Sequence, residues 1–216
     1  MTVPRELADL PYSSYLVAPD GVPVQGDDYD TVHFENMDFS EVQAGNARFT
    51  ESAFSSVSFG AGLFRRARFN DVWMHTTQLV GTDLAQSRWL DTEIITSVVA
   101  GAAMFDAEMS RVTFFGCKLV SVNLRNAKLR EIAFVNCTLR GVDFAGATLT
   151  KVSFPGSSVE VVEFDKAKMQ DVDLRGATTL SIQNGFDSLK GVTIDHSQLV
   201  DLAPAFAQVL GVVVKD

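Results

Sequence analysis

The sequence predicts an all-β solenoid, in which the chain winds into stacked coils of short strands around one apolar interior. Three observations lead to this fold class. An apolar residue recurs at every fifth position, a small or β-branched residue recurs two positions before it, and certain charged residues recur every twenty positions. A helix repeats its apolar face every 3.6 residues and a half-buried strand every second residue. A period of five therefore indicates neither element alone.

The five-residue period runs unbroken from Phe34 to Leu174, over 29 consecutive positions. All of these positions are apolar, and only Ala44 is small. Twelve of the sixteen phenylalanines lie on this period. Because chance does not hold one phase over so long a stretch, the pattern predicts that each of these residues is the inward centre of one short face.

A second inward register lies two residues before each centre, at positions such as Ala47 and Val57. The step of two between the registers is that of a strand, and the remaining step of three contains a corner. Arg48, Arg68 and Arg88 recur at a spacing of twenty, which predicts four faces per coil. Residues twenty apart would then stack about 4.8 Å apart, as hydrogen-bonded strands do.

Two segments carry a recognisable motif. The segments are CKLVSVNLRNAKL, which starts at Cys117, and CTLRGVDFAGATL, which starts at Cys137. Both resemble the A(D/N)LXX pattern of pentapeptide-repeat proteins. The resemblance covers about residues 32–177 and implies a right-handed quadrilateral β-helix. We therefore divide the chain into an N-terminal extension or cap (1–28), a β-helix of pentapeptide repeats (29–194) and a C-terminal dimerisation module of helix and short strand (195–216).

The C-terminal module contains an apolar pattern with helical spacing. Its residues are Leu199, Leu202, Phe206, Val209 and Leu210. Pro204 predicts a kink or a restart within the helix, and GVVV after it predicts a short strand. The helix either caps the open end of the solenoid or joins two chains. The second reading follows from a resemblance to the gyrase-interacting MfpA/Qnr-type members, and we expect a homodimer with these five residues at the interface.

An apolar column faces outward beside the predicted core. Ile95, Phe115 and Val135 each follow a centre position and stack at a spacing of twenty. Such a patch usually has a cover or a partner. The proline-containing residues 1–28 lie outside the period, so we expect them to pack over the patch. The alternative is that the patch binds another chain.

The sequence contains no catalytic or metal-binding constellation, so we expect neither an enzyme nor a cofactor. Cys117 and Cys137 fall in the inward register, where a buried pair of thiols is more consistent with a packed interior than a disulfide is. The three histidines, His33, His75 and His196, are scattered without a second ligand. Neither a GxxxxGK[ST] loop nor a GxGxxG turn is present.

The net charge of −9 argues against nucleic acid and anionic membranes as direct ligands. It suits a basic protein surface, or solubility alone. No stretch approaches the ~20 apolar residues of a membrane span, and the first residues lack the pattern of a secretory signal. These features predict a cytoplasmic protein.

Two charged surfaces are predicted on neighbouring faces. Columns of Arg48, Arg68 and Arg88 and of Glu51, Asp71 and Asp91 predict a salt-bridge lattice that neutralises one face. The next face is predicted to hold an acidic, partner-binding patch. Its residues are Asp83, Asp106, Asp143, Glu163 and Asp165.

Two hypotheses about function follow. The resemblance implies a DNA mimic that binds type II topoisomerase (DNA gyrase), modulates it and could confer quinolone-type resistance. However, about eight coils make a rod of about 38 Å, so −9 is one charge per about 4 Å, against one per about 1.7 Å in DNA. The alternative is a non-catalytic interaction scaffold that binds another protein through Ile95, Phe115 and Val135.

Overall fold

The computed structural model describes residues 3–215 and contains a four-sided parallel β-helix of about eight turns with one α-helix at its C-terminal end. The predicted fold class is confirmed. Parallel partners lie twenty residues apart, as Phe49 and Phe69 do. Cys117 and Cys137 occupy equivalent positions in successive coils, and both thiols are free.

We number the faces of each coil in chain order. In residues 82–101, face 1 is 82–86, face 2 is 87–91, face 3 is 92–96 and face 4 is 97–101. Faces 2 and 3 share a 13-stranded sheet, in which the longer strands bend around the corner between them. Face 4 carries a 6-stranded sheet, and face 1 is joined by isolated bridges between coils.

The elements of the solenoid are short, because each face holds only five residues. The strands of the larger sheet are β1 (Asp28–Asp30), β2 (His33–Glu35), β3 (Arg48–Thr50), β4 (Ala53–Ser55), β5 (Arg68–Asn70), β6 (Trp73–His75), β8 (Arg88–Ile95), β10 (Glu108–Phe115), β12 (Lys128–Val135), β14 (Thr148–Ser153), β16 (Lys168–Gln170), β17 (Val172–Asp173) and β19 (Val192–Thr193). Those of the smaller sheet are β7 (Gln78–Val80), β9 (Val98–Ala100), β11 (Lys118–Val120), β13 (Thr138–Arg140), β15 (Ser158–Glu163) and β18 (Thr179–Asn184). Three short 3₁₀ helices (Leu7–Asp9, Ser13–Tyr15 and Phe186–Ser188) and helix α1 (His196–Val209) complete the structure.

Stacked apolar side chains fill the interior. Every residue of the five-residue period from Phe34 to Leu174 is buried, except Met169, which is half-buried. Most rings twenty residues apart lie face to face, as Phe34 and Phe54 do with centroids 4.9 Å apart, whereas Phe39 and Phe59 meet edge to face. Most rings five residues apart meet edge to face, as Phe49 and Phe54 do at 5.3 Å. Both are favourable aromatic geometries, so the same rings pack well within a coil and between neighbouring coils.

Hydroxyl groups at the inward corners are also satisfied. Ser52 Oγ donates a hydrogen bond to the Thr50 carbonyl at 2.8 Å, and Ser97 Oγ donates to the Ile95 carbonyl at 2.9 Å. Because a buried hydroxyl is costly only when it lacks a partner, small polar residues can occupy this register. These hydroxyls therefore have a structural role.

The two thiols continue the same inward register. The backbone N–H of Cys117 donates to Cys137 Sγ at 3.3 Å. The contact with the Cys137 thiol, reinforced by burial, raises the pKa of Cys117. Since the thiolate is the reactive form of cysteine, this thiol is held in its unreactive form.

The last coil is irregular. Strand β18 pairs with β15 at an offset of 21, as Ser158 does with Thr179. The spacing of twenty returns where β19 pairs with β17, at Val172 and Val192. The coil thus continues to β19, and the register shifts of β18 coincide with the loss of the five-residue period after Leu174.

Helix α1 covers the C-terminal end of the core. Its N-cap residue, Asp195, accepts a hydrogen bond from the Gln198 backbone, and Gln198 Nε2 donates to the Leu174 carbonyl at 2.7 Å. The helix continues through Pro204 without a restart. The predicted short strand after it is wrong, because residues 212–215 have no strand partner. A run of β-branched residues does not form a strand unless another strand pairs with it.

Replacing Phe54 with alanine is expected to lower the free energy of unfolding by about 3–5 kcal/mol, because it removes a fully buried ring and leaves a cavity. Urea denaturation measures this change. Phe105→Ala is the matched control, because Phe105 points outward on face 1 and contacts the Arg65 guanidinium. The Phe105→Ala substitution should lower the free energy of unfolding by no more than about 1 kcal/mol. Equal losses in the two variants would contradict the assignment of inward and outward positions.

Candidate functional site

The apolar patch predicted on face 3 is covered by the N-terminal segment. Ile95, Phe115 and Val135 stack in one column, and each is only 6% exposed. Leu10 and Tyr12, both buried, belong to the same apolar cluster. The expected packing of the N-terminal segment over this column is confirmed, and the interpretation of the column as an exposed patch is wrong. A row of apolar side chains on a solenoid costs free energy until another segment removes it from water.

Polar contacts at the start of the chain fix this cover. Trp73 Nε1 donates to the Arg5 carbonyl at 2.9 Å. Arg5 Nε donates to Glu93 at 2.8 Å, and its backbone N–H donates to the same carboxylate at 3.1 Å. Burial raises the pKa of Tyr12, so its hydroxyl stays neutral within the cluster. The cover is an integral part of the fold.

Leu10→Glu is expected to detach the cover, because it places an unpaired charge in an apolar cluster. Binding of the dye ANS should rise and proteolysis should remove the N-terminal segment, while the β-sheet circular dichroism signal is retained. Val3→Glu, at an exposed position, should change neither readout. Unchanged dye binding in the Leu10 variant would show that the column does not depend on this cover.

The five carboxylates predicted as an acidic patch all lie on face 1, but bases neutralise most of them. Three ion pairs are present: Asp83–Arg65 at 3.6 Å, Asp143–Arg125 at 2.9 Å and Asp165–Lys166 at 3.7 Å. Within residues 3–215, Asp106 and Glu163 form no ion pair. Face 1 therefore carries charges of both signs along the axis.

Two of these carboxylates also stabilise the backbone. Asp83 accepts a hydrogen bond from the Ala85 N–H at 3.1 Å, and Asp143 accepts one from the Ala145 N–H at 2.9 Å. Both contacts span two residues within one face, as in an Asx turn. These two side chains are thus held in the turn of the coil.

The ion pairs of face 2 run between coils. Arg48 pairs with Asp28 at 2.9 Å, and Arg88 pairs with Glu108 at 3.3 Å. The predicted lattice with Glu51, Asp71 and Asp91 is wrong. Those residues lie three positions further along the strand, about 10 Å away, whereas equivalent residues of neighbouring coils are about 4.8 Å apart.

Two carboxylates of that column have distinct environments. The hydrogen bond from Arg111, in the next coil, lowers the pKa of Asp91. Partial burial raises the pKa of Asp71. Neighbours in adjacent coils and burial therefore set the electrostatics of this column.

The net negative charge is concentrated at the N-terminal end, which the predicted sites did not include. Residues 1–60 contain ten acidic and two basic residues, a net charge of −8, and residues 61–216 contain seventeen and sixteen, a net charge of −1. Within the coils, residues 21–60 have a net charge of −6 and residues 61–180 have +1. A running sum of charge along the sequence would have revealed this asymmetry.

Seven exposed carboxylates surround the first coils, and we call them the acidic end. They are Asp27, Asp28, Asp30, Glu35, Asp38, Glu41 and Glu51. In the described part of the chain only Asp28 has an ion-pair partner. Two coils at about 4.8 Å carry six net charges, or one per about 1.6 Å, which is close to the value of about 1.7 Å for duplex DNA.

No group of three histidine, cysteine or acidic side chains within residues 3–215 could hold a metal ion. Across those residues, no helix has the length and apolarity needed to cross a membrane. The charged surfaces described above make the outer wall of the coils the candidate functional surface.

Comparison with known proteins identifies the repeat. Residues 95–164 match the family model described as a pentapeptide repeat region. The chain is similar to HetL, a pentapeptide repeat protein involved in heterocyst differentiation regulation from the cyanobacterium Nostoc sp. strain PCC 7120, with 16% identity over 79% of this chain and 90% of that chain and a TM-score of 0.39. It is also similar to a trypsin-treated variant of QnrB1, a plasmid-mediated fluoroquinolone resistance protein, with 20% identity over 92% and 95% of the two chains and a TM-score of 0.39. No curated protein sequence matches the chain.

Proposed function

We propose that the protein is a non-catalytic binding protein of the pentapeptide-repeat type that acts through the outer wall of its coils. Residues 95–164 match the pentapeptide repeat region, and the coil buries the inward side of each face and leaves most of the outward side to solvent. Its acidic end would occupy a basic, DNA-binding surface of another protein. The observation that carries this proposal is the net charge of −6 within residues 21–60. A charge density similar to that of DNA lets a protein surface compete for arginine and lysine side chains that normally contact phosphates.

The candidate partner is type II topoisomerase, DNA gyrase in particular. The resemblance of the repeats to those of the gyrase-interacting MfpA/Qnr-type members supports this choice of partner. The five-residue period runs from Phe34 to Leu174 without an insertion, so contact would be made by the wall of the coils. Modulation of supercoiling, with or without relief of quinolone-type inhibition, is the expected consequence.

Mimicry would be confined to one end of the solenoid. The acidic end spans only about 10 Å along the axis, whereas residues 61–180 carry a net charge of +1. On face 1, Asp106 and Glu163 are the members of the predicted patch that remain unpaired among the described residues, and they lie outside the acidic end. The protein would thus compete with a short segment of DNA.

The scaffold hypothesis that used Ile95, Phe115 and Val135 is not retained, because the N-terminal segment already covers these residues. A partner would have to displace Leu10 and Tyr12 to reach them. The acidic end requires no such rearrangement.

Neutralising the acidic end should abolish an effect on gyrase. We expect the wild-type protein to alter supercoiling by purified DNA gyrase, and the triple variant Asp30→Asn, Glu35→Gln, Glu41→Gln to lose that effect. These side chains are exposed and form no ion pair in the described chain, so the fold should be unaffected. The measurement is a supercoiling titration with and without a quinolone.

A matched triple variant on face 1 provides the control. Asp106→Asn, Glu163→Gln, Asp165→Asn removes the same number of charges from the patch predicted by sequence, and it should retain the effect. No wild-type effect at tens of micromolar would contradict the choice of gyrase. Loss of the effect only in the face 1 variant would transfer the function to that patch.

We also propose that the protein forms a homodimer through the outer side of α1. Leu202 is buried against the core, and Phe206 contacts the Phe186 ring, so both also close the end of their own coil. Leu199 and Val209 are exposed, and Leu210 is 77% exposed. The interface is thereby narrowed to three of the five predicted residues.

Leu210→Glu should convert the dimer into a monomer, because it places a charge within an apolar interface. Light scattering at micromolar concentration measures the mass. Gln208→Glu, at a neighbouring exposed position, is the control and should leave the dimer intact. A monomeric wild-type protein would rule out the dimer without affecting the proposal for the acidic end.

A further inference from the structure

Four arginines line one cavity at the corner between faces 1 and 2. Its volume is about 360 Å³. The lining residues are Asn46, Arg48, Arg66, Arg68, Gln86 and Arg88. Each of these side chains carries N–H donors and none carries a carboxylate. A cluster of four arginines without a carboxylate is unexpected on a protein with a net charge of −9.

The regular coil forces this cluster together. Arg48, Arg68 and Arg88 hold the same position of face 2 in three successive coils and pair in register. Their Cα atoms are therefore about 4.8 Å apart. Arg66 approaches from face 1, where its Nε donates to Asn46 Oδ1 at 2.9 Å. The amide thus helps to hold this guanidinium at the corner.

Among the described residues, carboxylates contact the arginine column only at its two ends, and Glu108 at one end is shared with Lys128. Arg48 pairs with Asp28 and Arg88 pairs with Glu108, one coil beyond the cluster on each side. Within residues 3–215, Arg66 and Arg68 form no ion pair with a carboxylate. Two positive charges therefore lie at the middle of the cavity without a counter-charge, and stacked like charges repel one another.

We propose that the cavity binds a small anion with two or more linked phosphate groups, with pyrophosphate as the simplest member of the class. Guanidinium groups form paired hydrogen bonds with phosphate oxygens. Two uncompensated arginines match a ligand with at least two negative charges. The cavity lies within the range of about 300–1,000 Å³ for small-molecule sites. The proposal does not depend on gyrase binding.

Titration of the full-length protein with pyrophosphate at physiological salt tests this site. Calorimetry should give one site per chain, and the ligand should raise the melting temperature because it binds the folded state. Arg68→Gln should weaken binding by about tenfold or more, because it removes a charge-assisted contact. Arg140→Gln should bind like the wild type, since Arg140 is an exposed strand residue outside the cavity. Arg66→Gln supplies an independent variant if the Arg68 variant does not fold.

Several results would overturn the proposal. One is the absence of heat and of a melting shift with millimolar pyrophosphate. Another is equal affinity for sulfate or orthophosphate at matched ionic strength, which would indicate general ionic attraction. If Arg140→Gln weakened pyrophosphate binding as much as Arg68→Gln does, the assignment of the binding site to this cavity would also be contradicted. Binding of a polyglutamate peptide without binding of pyrophosphate would assign the arginines to an acidic protein partner.

Discussion

The hydrogen-bonded ladder between residues twenty apart is the constraint on which the rest of this structure depends. Backbone groups of successive coils pair throughout, as when the Arg68 N–H donates to the Ala47 carbonyl at 2.9 Å. The ladder holds equivalent residues about 4.8 Å apart on every face. Identical side chains in neighbouring coils must therefore either attract one another or find other partners. Stacked phenylalanine rings attract one another inside the coil, whereas stacked arginines on the outer wall repel one another.

The same constraint organises the charged surface. Along one column of face 2 the residues are Asp28, Arg48, Arg68, Arg88 and Glu108, so opposite charges meet only where the sign changes. Exposed pairs of this kind contribute roughly 0–1 kcal/mol each, and their main consequence is to reduce the external field. Coils with mixed signs present a nearly neutral wall, whereas the acidic end lacks the bases needed to pair its carboxylates.

The sequence predicts the fold well because the repeat is a local property: each inward Phe is specified by its own five residues. It also predicts the cover over Phe115, since an apolar column next to an aperiodic segment leaves few alternatives. The pairing of Arg48 is not apparent from the residues around it in sequence, because the carboxylate that it binds, Asp28, belongs to the preceding coil. The acidic end does not emerge when charges are grouped by face, because the charge asymmetry runs along the axis of the solenoid. The strand expected after α1 depends on a partner strand, which composition does not reveal.

The two proposed surfaces meet at one side chain. Asp28 belongs to the acidic end and also pairs with Arg48, which lines the arginine cavity. An anion that engages Arg48 competes with Asp28 for the same guanidinium, and it adds negative charge beside the acidic end. Two ligands of one protein are coupled when they change the same interaction, and each then alters the affinity for the other by the same factor. Occupancy of the cavity and binding of a basic partner would therefore be linked through this ion pair. A partner that engages Asp28 would in turn release Arg48 for the anion. The coupling is therefore expected to be positive: each ligand raises the affinity for the other, because each binds one side of the Asp28–Arg48 pair and releases the other side.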